Sequence, residues 1–201
     1  MPNQIYRFIM ERKSNARLLV LLTFIAIVIG LRMVAPLSPD FNMLANFTGV
    51  GAVAIFSGSY FRNKFAAYFL PMLVLLLSDL GLGVIMGKSW AFYTGWYYTY
   101  IAFALMVLVG QLMVKKVTVG NVFVGSLVGV FIHWIISDFG VWFGSTFYPQ
   151  TLGGFWACLV AAIPFELKFL YGTIIYSAIM FLGFEALKSK FPSLKYSSAI
   201  A

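Results

Sequence analysis

Long apolar runs separated by short polar breaks organise this chain. Six of them read as membrane-spanning helices, at about residues 17–35, 45–60, 65–87, 93–114, 119–143 and 164–187. Pro36 and Pro39 end the first. The second is short and carries Gly49, Gly51 and Gly58, small residues that permit close helix contacts, so it is expected to pack within the bundle. Pro71 predicts a kink in the third. Residues 155–163 are too few to cross a bilayer and predict a short half-helix before the sixth span. Residues 153–187 read as one helix would run about 52 Å, which overshoots the membrane.

Composition agrees with this pattern. Of 201 residues, 62% are apolar and 10% charged, and the mean hydropathy is +0.93. A soluble domain carries about 45–50% apolar and about 25% charged residues. A chain of this size cannot hide so much apolar surface inside itself, so lipid is expected to solvate the rest. The expectation is an all-α integral membrane bundle forming one domain, with no room for a separate soluble catalytic domain.

The net charge of +8 could suggest nucleic acid, but the basic residues fall in small clusters between apolar runs, which points to lipid headgroups and orientation instead. With the N-terminus inside, Arg7, Arg12, Lys13, Arg17, Arg62, Lys64, Lys115, Lys116, Lys188, Lys190 and Lys195 are all cytoplasmic, leaving Arg32, Lys88 and Lys168 on the outer side. That segregation predicts six spans with both termini cytoplasmic. The basic start followed by the apolar run 18–31 looks like a signal peptide but lacks a small-x-small cleavage site, so it reads as an uncleaved first span. The single cysteine, Cys158, excludes an internal disulfide and a multi-cysteine metal cluster.

Ionisable residues inside a bilayer are costly and by default face a bundle interior or a wet cavity. Here they are Arg32, Asp79, His133, Asp138, Glu166 and Lys168, all in the middle or outer half of the predicted spans, with Glu185 nearer the cytoplasmic end. Two of them share a short repeat, Ser78-Asp79-Leu80-Gly81 and Ser137-Asp138-Phe139-Gly140, at equal depth on helices of equal direction, as duplication of a two-helix unit would leave them. Ligand contact is one reading of these charges. Internal pairing, with Arg32 or Lys168 neutralising Asp79, Asp138 or Glu166, is the other. Trp134, Asp138 and Trp142 stand at helical spacing, so two indoles would flank one carboxylate on one face. This suits a flat ligand that is cationic or donates hydrogen bonds. Trp142 fits an interfacial aromatic belt equally well, as do most of Trp90, Tyr93, Trp96, Tyr97, Tyr98 and Tyr100.

Enzyme signatures are absent. Gly87-Lys88-Ser89 resembles the end of a phosphate-binding loop, but Leu82 stands where its glycine belongs. There is no Gly-x-Ser-x-Gly and no His-Glu-x-x-His. The lone His133 builds no metal site by itself and reads as a packing or proton-handling residue. No catalytic activity, metal or cofactor is expected.

The segments Asn46-Phe47-Thr48-Gly49-Val50-Gly51-Ala52, Ser78-Asp79-Leu80, Tyr148-Pro149-Gln150-Thr151-Leu152 and Ala161-Ala162-Ile163-Pro164-Phe165 resemble those of a bacterial membrane family of unknown function, usually labelled a transport protein. That family is in turn similar to the substrate-binding S components of energy-coupling-factor vitamin transporters. The resemblance spans about residues 32–187. Gly49 stands where the family usually has proline, and the first helix offers Ala26-x-x-x-Gly30 where S components carry an Ala-x-x-x-Ala docking motif.

The resemblance implies a multi-pass protein of the bacterial cytoplasmic membrane that captures a vitamin-like or metabolite ligand near its outer face. A membrane coupling protein and cytoplasmic ATPases would be its partners. On that reading Asp79 and Asp138 are polar anchors, Trp134 and Trp142 stacking walls, and Asn46 and Thr48 hydrogen-bonding groups. Arg32 and Lys168 balance the carboxylates or hold an anionic group, with His133 and Glu166 beside them. Two alternatives stay open: a self-sufficient proton-coupled carrier using Asp79, His133 and Asp138, and a scaffold whose buried charges only fix packing.

Overall fold

The structure is a computed structural model that describes residues 16, 18–28, 30–32, 47–61, 63–87 and 91–194. Among these residues the apolar runs form six helices and no strand. They are α1 (Leu18–Arg32), α2 (Val50–Tyr60), α3 (Lys64–Met86), α4 (Trp96–Met113), α5 (Val119–Trp142) and α6 (Leu152–Lys190), followed by a 3-10 turn at Pro192–Leu194. Helices α3 to α6 are long and apolar enough to cross a bilayer. Apolar side chains such as Leu19, Phe65, Val84 and Leu152 point outward, as lipid contact allows. This is an all-α membrane protein.

Local chemistry sets the helix ends. The side chains of Asn63, Thr118 and Thr151 accept from the backbone N–H groups of Ala66, Asn121 and Gly154, at 3.2, 3.1 and 3.2 Å, and so cap α3, α5 and α6. Gly95 precedes α4 at φ 85°, a left-handed conformation that suits glycine. It starts α4 at Trp96, three residues after the expected boundary. Helix α2 starts at Val50, because Phe47 to Gly49 are not helical.

One expectation is corrected. The half-helix at 155–163 is not separate, because residues 152–190 form one continuous helix of 39 residues with Pro164 inside it. A proline removes its own N–H donor and crowds the carbonyl four residues back, but both sides of Pro164 are held by packing. Before it, Trp134 Nε1 donates to Leu159 O at 3.1 Å, tying α6 to α5. After it, Gly172 lies against the backbone of Phe47 and Thr48. A helix longer than the bilayer can tilt or extend beyond it, so overshoot was not a reason to divide it. Pro71 likewise lies inside an unbroken α3.

Helix α2 is the centre of the bundle. It has 11 residues, all buried except Ser59, and it packs against α3, α4, α5 and α6, with Phe56 also meeting Phe24 of α1. A Cβ on Gly58 would collide with the Val107 carbonyl of α4, and one on Gly110 of α4 would collide with the Ile55 carbonyl. These two glycines let the α2 and α4 backbones touch. At the far end of α2, Phe56 and Tyr60 pack with Phe181 and Phe184 of α6. There the Tyr60 hydroxyl donates to Glu185 Oε1 at 2.5 Å, and Lys188 Nζ lies 2.8 Å from the same oxygen.

Substituting Gly58→Ala or Gly110→Ala is therefore expected to cost about 3 kcal/mol or more, because a backbone oxygen must move to admit the methyl group. Gly120→Ala, with open space at its Cβ, is expected to leave stability unchanged or slightly raised. Thermal unfolding of detergent-purified protein, followed by size-exclusion chromatography, separates the two outcomes.

Candidate functional site

The two Ser-Asp-x-Gly segments occupy corresponding places, near the C-terminal ends of α3 and α5. In each, the serine turns back on its own helix: Ser78 Oγ donates to Leu75 O at 2.8 Å and Ser137 Oγ to His133 O at 2.7 Å. The adjacent aspartates are both buried, but their surroundings differ.

Asp79 is well satisfied. Arg32, at the end of α1, places Nη2 2.8 Å from Oδ1, and the Tyr100 hydroxyl of α4 donates to Oδ2 at 3.0 Å. Burying either charge alone at this depth would be costly, and the pair with its extra donor offsets that cost. Arg32 Nε remains buried with no hydrogen-bond partner among the described residues. The internal pairing that Arg32 could make with an acidic residue is thus present at Asp79.

His133 of α5 faces Glu166 of α6, with Nδ1 3.2 Å from Oε1 and 3.4 Å from Oε2. The imidazole is held between Phe103 of α4 and Phe169 of α6, at ring-centroid distances of 5.0 and 4.4 Å. Phe169 also reaches toward Gly51, so one aromatic ring separates the first turn of α2 from His133. Asp138 follows on α5. Its Oδ2 is buried and accepts no hydrogen bond from the described residues, and Glu166 acts on it as a charge of the same sign. The Tyr93 hydroxyl pairs with Thr99 Oγ1.

The tryptophans share the face of α5 that carries Asp138, and that face meets α6. Trp134 donates to Leu159 O, Cys158 Sγ lies 3.7 Å from Asp138 O, and Trp142 Nε1 donates to Pro149 O at 2.8 Å. Both indole N–H groups are committed to backbone carbonyls, and Trp142 packs with Phe139 and Phe155. Thr48 Oγ1 sits 3.4 Å from the Val50 N–H, at the start of α2. Lys168 is half-buried, two positions beyond Glu166 and so on another side of α6. Asn46 lies outside the described residues. Among the described residues no three of His, Cys, Asp and Glu converge to hold a metal ion.

Tyr100, Phe103 and Phe169 were not singled out as site residues from the sequence. Tyr100 was hidden in a crowd of aromatic residues that read as an interfacial belt. The signal that could have separated it is its three-residue offset from Phe103, which puts both on one face of α4.

The model of the Family of unknown function (DUF6580) matches residues 12–194. No curated protein and no solved structure matches the chain.

Replacing Arg32→Ala is expected to destabilise the protein by about 3 kcal/mol, since it strands a buried carboxylate. Tyr100→Phe, which removes one donor from a charged acceptor, is expected to cost about 1.5–3 kcal/mol. Adding Asp79→Asn to Arg32→Ala is expected to recover much of the first loss. A double-mutant cycle on unfolding midpoints checks this.

Proposed function

We propose that this chain, which belongs to the Family of unknown function (DUF6580), is the membrane-embedded substrate-binding subunit of a small-molecule uptake transporter. The observation that carries the reading is the convergence of polar side chains from five helices around one end of the bundle. They are Arg32 of α1, Asp79 of α3, Tyr100 of α4, His133 and Asp138 of α5, and Glu166 of α6. A scaffold needs its charges only in saturated pairs. In the Arg32–Asp79 pair both carboxylate oxygens of Asp79 accept a donor, whereas Asp138 retains a buried oxygen without a donor among the described residues.

In this reading α1 and α2 are the two further passes, for a total of six spans. The clusters Lys115–Lys116 and Lys188–Lys190 face the cytoplasm with both termini, and the Asp79 and Asp138 end faces outward, in the bacterial cytoplasmic membrane. The ligand binds in the outer half. The resemblance to S components supports a coupling protein and cytoplasmic ATPases as partners, and the chain carries no phosphate-binding loop of its own. The His133–Glu166 contact, with Asp138 nearby, also suits a proton-coupled carrier, the second reading.

Native mass spectrometry of gently purified protein tests capture. A specific small-molecule adduct is expected, and an empty spectrum from folded protein supplied with metabolite-rich extract counts against the reading. Reconstitution without partners divides the two transport readings: no uptake is expected of a subunit, and uptake that collapses with the pH gradient identifies a carrier. Orientation is checked in a Cys158→Ser background. Ser145→Cys is expected to react with a membrane-impermeant maleimide in intact cells, and Lys115→Cys only after lysis. The reverse pattern inverts the topology.

A further inference from the structure

We infer that the ligand of this site is an organic cation, a protonated amine or a charged nitrogen ring, received by the Asp138 carboxylate. The inference rests on the capture reading above and assigns its substrate class.

It starts from Asp138 Oδ2, which belongs to a residue only 8% exposed and has no hydrogen-bond partner among the described residues. A carboxyl oxygen at this depth in a membrane helix is costly to leave unsatisfied. No side-chain donor among the described residues reaches it. Arg32 donates to Asp79 Oδ1 and Tyr100 to Asp79 Oδ2. Tyr93 pairs with Thr99, and the Trp134 and Trp142 N–H groups serve the carbonyls of Leu159 and Pro149. His133 Nδ1 faces Glu166. The charged group acting on Asp138 is Glu166, of the same sign.

Two neighbouring carboxylates repel an anionic ligand. A neutral donor could satisfy one oxygen but would leave their mutual repulsion in place, whereas a cation answers both needs through a charge-assisted hydrogen bond. The sequence pattern assigned the stacking role to Trp134 and Trp142. In the structure the N–H groups of those indoles serve the carbonyls of Leu159 and Pro149, which leaves their ring faces as the stacking surface this reading assigns.

The test uses the full-length protein in detergent and three fractions of a bacterial metabolite extract: retained on a cation exchanger, retained on an anion exchanger, and unretained. The cation-exchange fraction is expected to raise the unfolding temperature, and Asp138→Asn to shift the dose required upward by about 10- to 100-fold. Stabilisation by the anionic or unretained fraction alone overturns the cation assignment and leaves ligand capture standing. Equal stabilisation of wild type and Asp138→Asn by the cationic fraction overturns the role of Asp138. If no fraction stabilises folded wild-type protein, the capture reading fails and this inference with it, Asp138 then being satisfied by a bound proton. The contrast among fractions is read on the wild type, so it stands even where Asp138→Asn fails to fold, and Glu166→Gln supplies a second variant expected to weaken binding.

Discussion

The close approach of α2 to α4 is the contact on which the rest of the bundle depends. Lipid tails are as apolar as leucine, so helices inside a bilayer gain little by hiding apolar side chains from one another. Association depends on van der Waals contact, which is best where backbones approach closely. Gly58 and Gly110 supply that approach, each leaving room for a carbonyl of the other helix. With α2 seated against α4, the remaining helices pack around it. Gly51 receives Phe169 and Thr173 of α6, and Gly49 receives Val28 of α1 and Tyr176 of α6.

This arrangement governs where polar groups can be placed. Helix α2 is short, so its first turn lies at the level of Phe169 rather than at the end of the long helices. Beyond that ring come His133 and Glu166, while Arg32, Asp79 and Tyr100 form a second group. Both groups touch α4, through Phe103 and Tyr100, but they are not equivalent. One is a closed ion pair with an added hydroxyl donor, suited to fixing α1, α3 and α4 in register. The other leaves a carboxyl oxygen without a donor among the described residues, and so has capacity for an exchangeable partner.

Much of the fold was legible in the chain. The apolar runs placed α3, α4 and α5 within a few residues of their observed limits, because lipid-facing and core-facing positions are both apolar in a membrane helix and span length alone marks the element. The glycine-rich second run pointed to a helix packed inside the bundle, as α2 is. Sequence failed where a local rule met tertiary support. Pro164 read as a boundary, yet the helix continues through it because α5 and α2 hold the segments on either side.

The candidate site was legible as a list of residues and not as an arrangement. Sequence by itself determined that Arg32, Asp79, His133, Asp138 and Glu166 are ionisable groups within apolar runs, and that each therefore needs a partner. It also showed Trp134, Asp138 and Trp142 on one face of α5, since helical spacing is a property of the backbone. Which partner each group takes was decided only by tertiary structure. Arg32 and Asp79 lie 47 positions apart and His133 and Glu166 33 apart, separations over which helical periodicity carries no information. The face bearing the tryptophans meets α6 because of how two helices dock, and no pattern within one helix specifies its neighbour.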